Sequence, residues 1–488
     1  MSALRSRARP RGALSHRAGA RGRAAGVAAA LVLALAGVGA TVVRPVATLP
    51  DGWGGRPVAQ AGTAVPAPAG WDRGWLVWPQ SALGGVQRLA DARAAALLAG
   101  DGDALRATVD ATGPAAGRQA MLAGNLSRLR PVEWRYAVEA LAPVPDGRYA
   151  AAGDLLTATI VLRYRLRAWA EGMVTRRATW TVRAEPGRWV LVDDGLGGSA
   201  PRSDADLWDL TPVTVTDGAR SVVITARDRP AAGGGWSGGT LAAQADAAVR
   251  RVTAVWPGPW SRHVVLVGPA DLGQLTRLVP APPGPTLGGA WAQVAAVTTG
   301  PPASAWREAD TDQIVLNPTT WGRLLPVGQQ VVLTHEATHV ATRAVITRPL
   351  PDWLTEGFAD YVAFRGTGLP ASVVAADALA SAAAAGVPQR LPTDAELSGR
   401  AGPPDVAYQR SWLAVRAVAD RWGQARMVDW FRAAADGSPQ AAGDPTRAVD
   451  RASRRILGAD LGTLVQVWRA ELRQLALAAM QTPTGTGP

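Results

Sequence analysis

Two histidines four residues apart, with a glutamate beside the first, are the side chains of this sequence best suited to chemistry. His335, Glu336 and His339 spell H-E-x-x-H. On a helix, residues four apart lie on one face about one turn from each other, so both imidazoles can converge on one Zn²⁺. The glutamate can then act as base on a water molecule that the metal binds. The chain has four histidines, and two of them are in this motif.

A catalytic zinc needs a third protein ligand and one open position. Glu356 is the candidate, because a helix, a reversal at Pro349 and Pro351, and a returning helix would bring its carboxylate back to the imidazoles. Asp360, one turn further on, is placed to accept the remaining N–H of a ligating histidine. The alternative is a helix with two ordinary histidines, and with Glu356 as an acid stabilised by the positive end of the next helix.

The segment 331–361 resembles the gluzincin zinc metallopeptidases, the group that includes thermolysin and aminopeptidase N. The resemblance is strongest to the peptidase MA-like proteins of bacteria. The resemblance rests on H-E-x-x-H followed by W-L-x-E-G-x-A-x-Y at 353–361, and it extends over about residues 210–480. It implies a zincin-type fold in which strands precede the H-E-x-x-H helix and further helices follow it. It also implies hydrolysis of peptide bonds in peptides or proteins.

The resemblance implies a role for each residue of the motif. His335, His339 and Glu356 would bind one Zn²⁺, and Glu336 would be the general base that activates the zinc-bound water. Asp360 would be the hydrogen-bond partner of His335 behind the metal. An alternative of another class is a catalytically silent zincin-fold protein that acts as a binding or scaffold protein of the cell envelope.

The sequence also departs from the pattern of these peptidases. The G-x-M-E-N segment of aminopeptidases is missing, and residues 288–291 read only G-G-A-W, so aminopeptidase specificity is in doubt. Thermolysin relatives use a later histidine at the oxyanion, but no histidine follows His339. Tyr408 could serve through its hydroxyl, as a tyrosine does in the aminopeptidase group; the alternative is simple helix packing. We expect His263 to cap or pack a strand.

The N-terminus combines a basic tail with an apolar segment. Residues 1–25 carry seven arginines and no acid, and the eighteen residues 26–43 carry no charge. At about 1.5 Å per residue this segment is close to the thickness of a bilayer core. We expect a single-pass membrane anchor with the C-terminal domains outside the cytosol; the alternative is a cleaved signal peptide and a secreted protein.

Charge and cysteine content narrow the class of protein. The net charge is +12, but eight arginines precede the first acid, Asp51, which leaves +4 (12 − 8) for everything after them. An ordinary solvated surface accounts for +4, so we expect no nucleic-acid partner. The chain has no cysteine, which excludes disulfides and thiolate ligands. A zinc site must therefore use histidine and carboxylate.

The hydrophobic pattern predicts an α+β protein of two domains. Residues 44–79 are rich in proline and glycine and predict a linker. Residues 80–200 predict an α+β accessory domain that resembles the nuclear-transport-factor-two-like (SnoaL-like) cone. Residues 205–480 are the predicted metallopeptidase domain, with a largely helical C-terminal half, and 481–488 a disordered tail.

Periodicity predicts the elements within these domains. Predicted helices span 81–99, 104–109, 117–129, 240–255, 270–279 and 328–346, and predicted strands span 133–141, 155–169, 173–184, 189–193, 213–216, 221–226, 263–267, 290–298 and 313–316.

Overall fold

The fold is mixed α+β, with two sheets followed by a helical C-terminal half, as the sequence predicts. Within the part of the chain that the structure covers, no helix combines the length and the apolar character needed to cross a bilayer. The segment 26–43 and the linker up to residue 77 lie outside the described residues. The structure is a computed structural model that describes residues 78–144, 155–170, 172–197, 203–227, 236–279, 294–299, 312–343, 346, 348–436 and 444–481.

The first part of the chain packs three helices against an antiparallel sheet of order β1-β2-β3-β4. Val86 and Leu89 of the first helix are buried in one cluster with Ile160 and Trp180 of the sheet. One side of the sheet is thereby covered, and alternating polar residues remain on the other. The elements are α1 (Trp78–Ala99), α2 (Gly102–Ala107), α3 (Ala116–Leu129), β1 (Glu133–Pro143), β2 (Leu155–Arg165), β3 (Val174–Glu185) and β4 (Arg188–Asp193).

A second sheet of five strands has the order β5-β6-β7-β9-β8. Its three central strands are parallel, and both edge strands run antiparallel to their neighbours. Both faces are covered, which explains why the central strands read as continuous apolar runs. The elements are α4 (Leu207–Leu210), β5 (Val213–Asp217), β6 (Ser221–Ala226), α5 (Gly238–Val255), β7 (Val264–Gly268), α6 (Leu272–Leu278), β8 (Ala296–Thr299) and β9 (Gln313–Leu316).

The two faces of this second sheet belong to different cores. Val265 and Val297 pack in a cluster that also contains Trp134 and Tyr164 of the first sheet. The opposite face, with Leu266 and Ala296, packs in the large core of the C-terminal helices. The second sheet therefore lies between the first sheet and the helices, and it fixes the position of both.

The helical half begins directly after β9. Its central helix, α8, packs on α5, on the edge strand β8 and on the returning helix α9. The helices are α7 (Pro318–Trp321), α8 (Pro326–Arg343), α9 (Asp352–Phe364), α10 (Ala371–Val374), α11 (Ala376–Ala385), α12 (Asp394–Leu397), α13 (Pro404–Trp422), α14 (Gln424–Ala435), α15 (Pro445–Ala452) with a π-helical turn (Ser453–Leu457), and α16 (Leu461–Gln481).

Most predicted elements are present with ends shifted by a few residues. The predicted strand 155–169 is too long, because β2 ends at Arg165 and the chain turns at 167–169. α16 continues to Gln481, the first residue of the predicted disordered tail, and the rest of that tail lies outside the described residues. β8 occupies only the end of the predicted strand 290–298, of which residues 290–293 are not described.

Candidate metal centre

Helix α8 is buried along most of its length, which is unusual for a helix with so many polar residues. Its threonines form hydrogen bonds within the helix. The hydroxyls of Thr334, Thr338 and Thr342 each donate to the backbone carbonyl four residues earlier, at 2.7–2.9 Å. This pattern allows polar side chains inside a helix without an outside partner. His335 and His339 remain as buried polar residues whose ring atoms have to find partners beyond the helix.

The two imidazoles contact each other and a carboxylate on helix α9. The Nε2 atoms of His335 and His339 lie 2.9 Å apart. The Oε2 atom of Glu356 lies 3.2 Å from the first of these nitrogens and 3.5 Å from the second. All three residues are buried, and together they form a group that could hold a metal ion. The helix reversal that the sequence predicts therefore brings its two segments to one point.

A fourth residue, Asp360, determines which ring nitrogen of His335 can bind a metal. Nδ1 of His335 donates to Oδ1 of Asp360 at 2.8 Å, and both side chains are fully buried. With the proton kept on Nδ1, Nε2 can supply the lone pair that binds a metal, and it faces the ring nitrogen of His339 and a carboxylate oxygen. In this ligating form the three atoms would repel one another unless a cation, either a proton or a metal ion, lies between them. Tetrahedral zinc holds ligand atoms about 3.3 Å apart, which these separations approach, so the residues fit this metal.

The charges at the site also favour a cation. Burial by itself lowers the pKa of His335, but the carboxylates of Asp360 and Glu356 outweigh it and raise that pKa to about 10. Burial raises the pKa of Glu356, but the charge of His339 and the hydrogen bonds from both histidines hold it well below its usual range. Both shifts reflect the attraction between the positive imidazoles and the negative carboxylates, so positive charge is stabilised next to Glu356 and Asp360.

Glu336 lies beside this group and has one partner that the sequence does not reveal. The hydroxyl of Thr298, on the edge strand β8, donates to Oε2 of Glu336 at 2.5 Å. Both side chains are buried. The sequence places Thr298 in a strand before the motif, but no local pattern tells which α8 residue its hydroxyl meets.

Tyr408 is buried on α13, the helix that packs against α9. Its pKa is raised well above 10 by burial and, to a smaller extent, by the negative charges of Glu356 and Asp360. Close approach of these helices depends on Gly357. A Cβ atom at Gly357 would lie 2.4 Å from the carbonyl oxygen of Ser411, so only glycine fits there.

Other sequence-based predictions fall away from the site. The ring of His263 stacks on Trp169 with centroids 4.6 Å apart, and its Nδ1 bonds to the carbonyl of Ser261 at 2.8 Å. It packs beside a strand, as the sequence predicts. The segment 288–291, compared above with the aminopeptidase pattern, lies outside the described residues.

Comparison with known proteins gives matches among solved structures alone. No family profile matches the chain. A search of curated proteins finds no match either. Similar structures include mutants of a two-domain M1 zinc metallopeptidase bound to L-tryptophan (18% identity, TM-score 0.32) and to L-arginine (16%, 0.30), each covering 53% of this chain. The chain spans about half of their length, 51% in both cases.

A third similar structure is an M1 zinc metallopeptidase mutant from Deinococcus radiodurans bound to a Tyr-Ser-Ala substrate. It is 15% identical, with a TM-score of 0.30, and the match covers 64% of this chain and 90% of that one. Values this low carry no argument about the chemistry of this chain, which has to come from its own side chains.

Proposed function

We propose that the protein is a zinc-dependent metallopeptidase that hydrolyses peptide bonds of peptides or proteins. The observation that carries the proposal is the buried group of His335, His339 and Glu356, whose three acceptor atoms lie within 2.9–3.5 Å of one another. One bound Zn²⁺ would polarise the scissile carbonyl and lower the pKa of a water molecule. The three ligands are two imidazoles and one carboxylate, which is a common donor set of catalytic zinc.

The remaining side chains would supply the proton transfers and the alignment. Glu336 takes a proton from the attacking water and passes it to the leaving amine. Asp360 holds the imidazole of His335 in the tautomer that ligates, through the 2.8 Å bond to Nδ1. Tyr408 would donate its hydroxyl to the developing oxyanion.

The edge strand β8 supports a peptide as the substrate. It forms the end of the five-stranded sheet, and among the described strands it pairs with β9 alone. An extended peptide can add to such an edge through backbone hydrogen bonds. Because Thr298 of β8 contacts Glu336, a peptide on this edge would run past the general base. We further propose that the segment 26–43 anchors the protein in a membrane and that the peptidase acts outside the cytosol.

The test compares the purified full-length chain with its Glu336→Gln variant. We expect both to bind one zinc ion, because Glu336 is not a ligand. We expect cleavage of a diverse peptide pool by the unmodified chain and a loss of about 10²–10⁴-fold in the variant, the range for removal of a general base. Equal activity in both proteins would reject Glu336 as the base. Zinc binding without cleavage by either would favour the silent binding or scaffold protein instead.

A further inference from the structure

We infer that Thr298 is a positioning residue for the general base, and that its hydroxyl fixes the carboxylate of Glu336 in the orientation that turnover requires. The inference rests on the proposed peptidase function and deepens it. It starts from the bond of 2.5 Å between Oγ1 of Thr298 and Oε2 of Glu336. That length is typical of a hydroxyl that donates to an ionised carboxylate, which is among the stronger hydrogen bonds in proteins.

The donor is rigid and the acceptor is not. Threonine is branched at Cβ and stiff at χ1, and Thr298 lies within β8, opposite Ile314 of β9. Its carbonyl also accepts a hydrogen bond of 3.4 Å from Nη1 of Arg343, at the end of α8. Glutamate has three rotatable side-chain bonds, so a fixed donor selects one of its conformations.

The environment leaves Thr298 as the partner that holds this carboxylate. Thr298 is 1% exposed and Glu336 is 2% exposed, so bulk water does not compete for the bond. Among the described residues, no second side chain donates to the carboxylate of Glu336. With one oxygen held by Thr298, the other oxygen is left to accept a proton. Misplacement of a catalytic group by about 1 Å can cost about 10²-fold in rate.

The neighbouring residue offers a matched control. Thr299 lies on the same strand, but its hydroxyl pairs with the backbone of Gln313 in β9, at 3.2 Å to both the nitrogen and the oxygen. Replacing either threonine by valine removes one hydroxyl and keeps the branched shape. Only the replacement at 298 removes the contact with Glu336.

The first experiment measures kcat, KM and zinc content of the zinc-loaded full-length protein. For Thr298→Val we expect kcat to fall about 10–100-fold, with KM and bound zinc unchanged, because neither substrate contacts nor ligands are altered. Thr298→Ser keeps the hydroxyl and should recover most of the turnover. Thr299→Val is the control for loss of a hydroxyl from this strand, and we expect it to lose much less turnover than Thr298→Val. Full activity of Thr298→Val, or equal losses in both valine variants, would overturn the inference.

The second experiment needs no activity and uses the metal-free protein. Thermal unfolding is measured for Thr298→Val, Glu336→Ala and the double variant. The Thr298 hydroxyl also donates to the backbone carbonyl of Glu336 at 3.2 Å, and this bond remains in Glu336→Ala. We therefore expect Thr298→Val to lower Tm more when the Glu336 side chain is present than in the Glu336→Ala background. Additive shifts would show that the two side chains do not interact. If the unmodified chain cleaves no peptide, the proposed peptidase function fails, and the role of Thr298 in turnover fails with it. If the unmodified chain cleaves peptides and Thr298→Val cleaves them equally fast, only the inference about Thr298 fails.

Discussion

Two groups of buried and partly buried charged side chains show how a structural cluster differs from a site. The α4 cluster consists of Arg176, Asp206 and Asp209. In it, Oδ1 of Asp206 accepts from Nε and Nη2 of Arg176 at 3.1 and 2.7 Å, and Oδ2 of Asp209 accepts from the backbone N–H of Asp206 at 2.8 Å. Each of these acceptors faces a donor, so the cluster is complete without a ligand.

The metal group, which consists of His335 and His339 on α8 and Glu356 on α9, also brings nitrogen and carboxylate oxygen atoms together, but it contains no arginine. His335 Nε2, His339 Nε2 and Glu356 Oε2 face one another, and His335 Nδ1 donates to Asp360. In the form that binds a metal these three atoms are all acceptors, and burying them together is costly unless a cation lies between them. The α4 cluster therefore has its positive charge built in as Arg176, whereas the metal group takes its positive charge from protons or from a bound metal ion.

The largest effect should come from removing a ligand of the metal group. We expect His335→Ala, His339→Ala and Glu356→Ala each to abolish zinc binding in titration calorimetry. Zinc at a hundred times its Kd should stabilise the unmodified chain by about 2.7 kcal/mol and leave these variants unchanged. His263→Ala is the control, because that ring stacks on Trp169. Zinc binding at full affinity by any ligand variant would contradict the assignment.

The next largest effect should come from the α4 cluster, and on stability alone. Asp206 is almost fully buried, and Arg176 is its charged partner. Arg176→Ala leaves that carboxylate without its counter-charge and should lower the free energy of unfolding by about 3 kcal/mol, with zinc affinity unchanged. The control is Arg188→Ala, since the ion pair of Arg188 with Glu185 is exposed and should contribute below about 1 kcal/mol. A change in zinc affinity would show that the two groups are coupled.

A smaller effect on the metal group should come from Asp360→Asn. The amide keeps the shape of the carboxylate but removes the charge that orients and polarises His335. We expect zinc affinity to fall about 10–100-fold in competition with a chelator. Asp377→Asn is the matched control, because Asp377 accepts from Nε2 of Gln409 at 2.9 Å on α13. Affinity equal to that of the unmodified chain would remove Asp360 from the metal group.

The last prediction concerns pH and the α4 cluster. Burial, together with the charge of Asp206, raises the pKa of Asp209 from 3.8 to about 8. The folded protein therefore binds this proton more tightly than the unfolded chain, and the free energy of unfolding falls as pH rises from about 4 to about 8. Asp209→Asn has no proton to lose at this position. Its free energy of unfolding, measured by chemical denaturation and compared with that of the unmodified chain, should therefore increase as pH rises across this range. A difference that does not change with pH would contradict the shift.

The local order of the chain could be predicted because it depends on local patterns. Apolar residues at helical spacing identify α1, α5 and α8, and continuous apolar runs identify β7 and β9. The motif 335–339 and the acids Glu356 and Asp360 follow from spacing on two helices joined by a proline-containing turn. The sequence also leaves two matters as predictions, the membrane anchor at 26–43 and the division into domains.

Contacts between segments far apart in the chain could not be predicted from local sequence patterns. The bond of Thr298 to Glu336 depends on how an edge strand packs on α8, and the closeness of Tyr408 depends on Gly357, where α9 meets α13. The α4 cluster joins a strand of the first sheet to the start of α4.

The residues that can bind a metal, and the helices on which they lie, follow from the amino-acid sequence, because helical spacing depends on neighbouring residues. Three features become visible only in the folded chain: the ligand atoms lie within 2.9–3.5 Å of one another, one hydroxyl faces the base, and some buried charges already have a partner. These distances are set by the packing of side chains between elements that are far apart in the chain.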